Sequence, residues 1–123
     1  MHTVMIVDDA AFMRQILRGI FETMDFKVVA EAGNGEDAVK HYGLLRPDLV
    51  TMDISMPDMD GFTAAKKMIA LDRRANIIMC SAIGRKEMVM HAIAIGAKDF
   101  IVKPLIKERL ELAVRHLLPV ENG

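Results

Sequence analysis

A chain of 123 residues, 52% of them hydrophobic, suits one domain with one core and needs neither disulfides nor a structural metal to hold it. Its 16 basic and 17 acidic residues leave a net charge of −1, which argues against a general electrostatic footprint for nucleic acid or an anionic membrane. The single Cys80 excludes an internal disulfide, and neither a signal-peptide pattern nor an apolar run of spanning length is present, so a cytoplasmic single domain over residues 1–123 is expected. The 11 Met read mostly as adaptable core filler, with a minority at a pliable binding surface.

TVMIV at 3–7 is apolar along its length and reads as a buried strand. After it, Met13, Ile16, Leu17, Ile20, Phe21 and Met24 recur at helical spacing. KVVAEA at 27–32 is a second strand, and NGEDAVKHYGLL reads as a helix capped by Asn34 or Gly35. DLVTMD at 48–53 is a third strand, with a helix from Phe62 to Leu71. NIIMCSA at 76–82 is a fourth, with a helix from about Arg85 to Ile95. DFIVKP at 99–104 is a fifth, closed by a helix carrying Ile106, Leu110, Ala113, Val114 and Leu117. The final LLPVENG fits either a natural end or the start of a linker. Five β–α units predict an α/β fold, a parallel sheet with helices on both faces. In such folds the functional crevice lies at the carboxyl ends of the strands.

Those ends hold the chemistry. The first strand finishes in Asp8 and Asp9, the third in Asp53, the fourth in Cys80 and Ser81, the fifth in Lys103 and Pro104. Three clustered carboxylates must be protonated or neutralised by a cation, and a few carboxylates completed by water suit Mg²⁺. A calcium loop is set aside: Met56 occupies its first position, and no Glu stands where the last ligand is needed. Asp58 and Asp60 are read as shaping the turn that ends at Gly61.

VDD after the first strand, MDISMPDMDG around Asp53, SA at Ser81 and KP at Lys103 resemble, in this order, the receiver domain of two-component response regulators. The resemblance covers essentially the whole chain and is closest to stand-alone chemotaxis regulators of the CheY-like type. It implies a flavodoxin-like (βα)5 three-layer sandwich with strand order 2-1-3-4-5, an order that the count of strands does not supply. It makes Asp53 the phosphoacceptor. Asp9 and Asp53 would ligate Mg²⁺ directly, Asp8 mostly through water, and Ser55 through its backbone carbonyl. Lys103 and the Ser81 hydroxyl would each meet a phosphoryl oxygen, and Pro104 would follow a cis peptide. Phe100 stands where the family turns a Tyr or Phe inward as the residue matching Ser81 moves, but it lacks a hydroxyl. Ser55 and Ile83 stand where the family tunes hydrolysis of the acyl phosphate, and Ile83 cannot orient a water.

Two surfaces stand out. Phe12 lies off the apolar stripe of the first helix, beside the acidic pair, and reads as a contact for the phosphodonor. In the fourth helix Met90, Ile93, Ala94 and Ala97 make one stripe and Met88, Ala92 and Ile95 an opposite one, with Val89 between. An outer helix buries only one stripe. The resemblance makes this helix, with the fifth strand and fifth helix, the output face, and Met88, Val89 and Phe100 are placed on it. The implied function is a signalling switch phosphorylated by a histidine kinase. It would catalyse only its own phosphorylation and slow dephosphorylation, and as a monomer bind a downstream protein such as a flagellar motor switch component. A phosphatase is a further implied partner; direct nucleic-acid binding and membrane insertion are not expected. A phosphorelay intermediate and a receiver from a longer regulator, with a DNA-binding or enzymatic output, stay open.

Overall fold

The computed structural model describes residues 1–119; residues 120–123, most of the LLPVENG segment read as an end or a linker, lie outside the described residues. Strands and helices alternate in the order β1 (His2–Val7), α1 (Ala11–Thr23), β2 (Phe26–Ala32), α2 (Gly35–Leu45), β3 (Leu49–Asp53), α3 (Gly61–Leu71), β4 (Ile77–Ser81), α4 (Lys86–Ile95), β5 (Asp99–Val102) and α5 (Lys107–Leu117). The strands form one parallel sheet in the order β2-β1-β3-β4-β5. This is the flavodoxin-like sandwich that the resemblance implies. The fifth strand is shorter than the expected 99–104, stopping at Val102; the Lys103 N–H still donates to Ser81 O at 2.7 Å, and the Lys103–Pro104 peptide bond is cis. Among the described residues no helix is long and apolar enough to cross a membrane.

Alternation along each strand divides the core into two layers. Val4, Ile6, Leu49, Ile78, Cys80 and Ile101 pack with Leu17 and Phe21 of α1 and Leu110, Ala113 and Val114 of α5. Met5, Val7, Val50, Met52, Ile77 and Met79 face the other way, against Ala38 and Tyr42 of α2, Ala64, Ala65 and Met68 of α3, and Ala92 of α4. β1, β3 and β4 are buried on both faces for most of their length and run largely apolar, with Thr51 a buried polar exception. The α1 stripe is narrower than its spacing predicts, since Ile16 is exposed.

Capping fixes where the helices start. The Asn34 side chain accepts the Asp37 N–H at 2.8 Å, and the Asp60 side chain accepts the Thr63 N–H at 2.9 Å. Asp58 adopts a left-handed backbone, φ 68°. The two acids read together as turn formers therefore divide the work: Asp58 reverses the chain and Asp60 starts α3.

At the other end of the sheet, α2 and α3 are tied by a buried phenol. Tyr42 is 1% exposed, and its hydroxyl donates to Asp72 at 2.9 Å. Burial, then the acceptor Asp72, pushes the phenol above its ordinary value. Arg46 lies 5.8 Å from the centre of the ring and pairs with Asp72 at 3.6 Å. We expect Tyr42→Phe to lower stability by about 1 kcal/mol, the usual net worth of one such hydrogen bond. Urea denaturation checks this; an unchanged midpoint at an unchanged slope would show that the bond contributes nothing.

Candidate phosphoryl and metal site

The alternation that builds the α1/α5 layer continues past the strand ends. Following Val4 and Ile6, Leu49 and Thr51, and Ile101, it brings Asp8, Asp53 and Lys103 to the same side of the sheet. The Lys103 ammonium lies 2.8 Å from Asp8 Oδ2 and 3.3 Å from Asp53 Oδ1. Asp8 and Asp53 are buried, at 2% and 5% exposure, and Asp9 is exposed at the rim. Asp8, Asp9 and Asp53 each offer one oxygen within 4.8 Å of the others.

Every polar atom of Asp8 has a partner. Its N–H donates to Ala32 O at 3.0 Å. Its carbonyl accepts from Arg14 Nη1 at 2.6 Å, Oδ1 from the Ala10 N–H at 2.9 Å, and Oδ2 from Lys103. Asp9 is bound by none of these and stays open to solvent. Of the two acids, Asp8 is thus saturated and Asp9 is open to solvent.

One lysine faces three carboxylates, and the imbalance marks the titration of the site. Burial first, and then the charge of Asp8, pushes the Asp53 carboxyl above its ordinary value despite the pull of Lys103. Burial alone would lower Lys103, but its hydrogen bond to Asp8 and the charge of Asp53 hold it above the ordinary lysine value, so it is protonated at neutral pH. A cluster with spare negative charge, hard oxygen donors and one solvent-facing carboxylate fits a divalent cation such as Mg²⁺.

Each remaining residue named from the sequence has a definite place. The ladder runs one rung past Asp53, where Ile54 N–H donates to Cys80 O and Ile54 O accepts from Gly61 N–H. Ser55 is the first residue beyond that rung, and it is exposed. Ser81 is buried one register step past Cys80, which pairs with Asp53, and its hydroxyl accepts the Ile83 N–H at 3.1 Å. Ile83 is half exposed. Phe12, 71% exposed, stands on the outer side of α1. Phe100 is partly buried and packs on the α2/α3/α4 layer, as does Met88. In α4 the buried stripe is Met88, Ala92 and Ile95; the open one carries Met90 and Ile93, at 59% and 63% exposure, while Val89 is partly buried. Met88 therefore supports the core, and the exposed apolar face belongs to Met90 and Ile93. Residues that sequence reasoning did not single out are Arg14, Arg18 and Glu31, which form an ion-pair network beneath the Asp8 turn. Arg14 and Arg18 lie on α1 and Glu31 on β2, and no pattern along the chain pairs them.

Residues 4–115 match the response regulator receiver domain, and the chain belongs to that family. Within it the chain is a CheY-like chemotaxis regulator of a two-component system. It is 54% identical over 117 residues to the chemotaxis protein CheY of Bacillus subtilis, covering 95% of this chain and 98% of that protein. It is 52% identical over 107 residues to CheY of Thermotoga maritima, covering 87% and 89%. A solved structure of the CheX–CheY–BeF3–Mg²⁺ complex from Borrelia burgdorferi holds a chain that superposes with a TM-score of 0.93 at 38% identity, over 98% of this chain and 90% of that one. Receiver domains take Mg²⁺ at an acidic pocket, and the Asp8, Asp9 and Asp53 cluster is the matching feature of this chain.

Proposed function

We propose that this chain is a phosphorylation-driven switch in which Asp53 takes a phosphoryl group from a histidine kinase. The observation that carries the reading is a buried carboxylate at the end of a central strand, 3.3 Å from a lysine and within 4.8 Å of two more carboxylates. An Asp53 oxygen attacks phosphorus, the phosphorus–nitrogen bond of the donor phosphohistidine breaks, and its electron pair leaves with the imidazole. The product is an acyl phosphate. Asp9, Asp53 and the Ser55 carbonyl would hold Mg²⁺, with Asp8 acting through water, and the ion would supply charge that offsets the negative oxygens of the transferred group. Lys103, already held at the site by Asp8, pairs with one phosphoryl oxygen. Ser81 gives up its bond from the Ile83 N–H and donates its hydroxyl to another.

That shift of Ser81 favours a conformation in which Phe100 turns further inward, a population shift biased by the new phosphoryl contacts. The surface that reads it out is α4 with β5 and α5, centred on Met90 and Ile93. A downstream protein, such as a flagellar motor switch component, binds there. Phe12 meets the kinase, a phosphatase is a further partner, and the CheX complex of the Borrelia protein supports binding of a second protein by a CheY chain. The chain works in the cytoplasm as a monomer, binds no nucleic acid directly, and catalyses only its own phosphorylation and slow hydrolysis. Ile83 retards that hydrolysis because it offers no hydrogen bond to an attacking water.

The reading is tested with acetyl phosphate as a small donor. Intact-mass measurement should show the gain of one phosphoryl group in the presence of Mg²⁺ and none after chelation. Equal labelling with and without Mg²⁺ would sink the metal-assisted mechanism, and no labelling in either would sink the reading as a whole.

A further inference from the structure

The acidic pair is only as well placed as the turn that carries it, and an ion-pair network grips that turn from below. Arg14, one turn into α1, donates through Nη1 to the carbonyl oxygen of Asp8 at 2.6 Å. Its Nε faces Glu31 Oε1, on β2, at 3.3 Å. Glu31 is held in turn by Arg18, whose Nε and second guanidinium nitrogen lie 2.8 and 2.7 Å from Oε2. Gly33 leaves room for the guanidinium: a Cβ there would stand 3.3 Å from Arg14 Nη1. Arg14 and Glu31 are both largely covered, at 21% and 29% side-chain exposure, so the contacts are screened less than those of a free surface pair.

We infer that Arg14, oriented by Glu31, is a positioning residue for the metal site: by fixing the Asp8 carbonyl it fixes the backbone from which Asp9 presents its oxygen. The inference rests on the metal reading above. A guanidinium is suited to this because its planar fork serves two acceptors at once, a backbone oxygen and a carboxylate, which an ammonium cannot hold in the same geometry. Arg14 touches no reacting atom. Glu31, shared with Arg18, offsets its charge only in part, so the direction of the change in Mg²⁺ affinity separates a geometric role from a repulsion.

Titration with Mg²⁺ alone, followed by amide chemical shifts, gives the test. Wild type is read first; if it binds no Mg²⁺, the metal reading itself fails. With binding established, Arg14→Met should weaken it about tenfold, the low end for loss of a group that supports a metal ligand. Arg14→Lys should fall between the two. Glu31→Gln, which frees the guanidinium without removing it, should weaken binding in the same direction and guards against misfolding of the Met variant. Raising Mg²⁺ to saturation should bring acetyl phosphate labelling of Asp53 in Arg14→Met back to within about twofold of wild type, because the lost step is ligand placement. Thermal melting of each variant reports loss of the network as structure alone. Mg²⁺ affinity equal to or tighter than wild type in a folded Arg14→Met protein would overturn the inference, the tighter case marking Arg14 as a repelling charge.

Discussion

Asp53→Asn should lose phosphorylation to background and, without divalent cation, melt at a higher temperature than wild type at pH 7. The first effect follows from chemistry, since an amide cannot form the acyl phosphate. The second follows from charge. Burial and Asp8 hold the Asp53 carboxyl above its ordinary value, so in the window between its unfolded and folded values the native state binds more protons than the unfolded one. Stability attached to this group is therefore greatest below the ordinary aspartate range, near pH 4, falls as pH rises through the raised value, and is at its minimum above that value. The amide removes that penalty, and Lys103 is not stranded, because it keeps Asp8 at 2.8 Å. Wild type and variant should converge as pH falls below the aspartate range. Added Mg²⁺ should reverse the order: at a hundredfold excess over its dissociation constant an ion bound only by the native state adds about 2.7 kcal/mol, and Asp53→Asn should gain less of it. Melting curves across pH, with and without Mg²⁺, check all of this. A variant less stable than wild type at pH 7 without Mg²⁺ would mean that Lys103 already compensates Asp53 in full.

The largest loss of stability is expected at a glycine. A Cβ on Gly61 would collide with the carbonyl oxygen of Asp53 and stand 2.8 Å from Ile54 Cα. Both neighbours are backbone, and both are held by the ladder that joins Ile54 to Cys80 and Gly61. Nothing there can swing aside. Gly61→Ala should cost about 3 kcal/mol, the upper end for overpacking, and should also slow phosphorylation, because the atom displaced first belongs to Asp53. Gly43, on the outer side of α2, gives the contrast. A Cβ there would meet only Leu71 Cδ1 at 3.9 Å, so Gly43→Ala should stabilise by about 0.5–1 kcal/mol through helix propensity. Chemical denaturation of the two variants separates close approach from simple glycine entropy. Equal effects at both positions would refute the steric account of Gly61.

The five strands were legible because a strand buried on both faces needs a short, largely apolar run, and four of the five runs ended in residue types that the site uses; the second, ending at Ala32, did not. The placement of Asp8, Asp53 and Lys103 on one side of the sheet follows from strand alternation once the sheet is parallel, and parallelism follows from the intervening helices. Spacing along the chain does not set the order in which the strands pair. That order came from the family resemblance, and physically it is decided by which crossovers let α1 and α5 cover one face and α2, α3 and α4 the other. The two stripes of α4 were visible in the sequence, but they are equally apolar; docking on the sheet decided that Met88, Ala92 and Ile95 go inside and leave Met90 and Ile93 in solvent. The strand read through Lys103 and Pro104 ends earlier, at Val102, and Pro104 has no N–H to carry the ladder further. Likewise Asp58 and Asp60 look alike in sequence, yet only one has its side chain within reach of an unpaired helix N–H. The Arg14–Glu31–Arg18 network lay furthest from view: its members stand on neighbouring elements, α1 and β2, and a long-range ion pair exists only after the sheet has set the distance between them. The chain by itself thus determined the chemistry of the site, because chemistry is a matter of residue type. Tertiary structure decided which of those groups are saturated, which are open and what holds them in place, because those depend on distance.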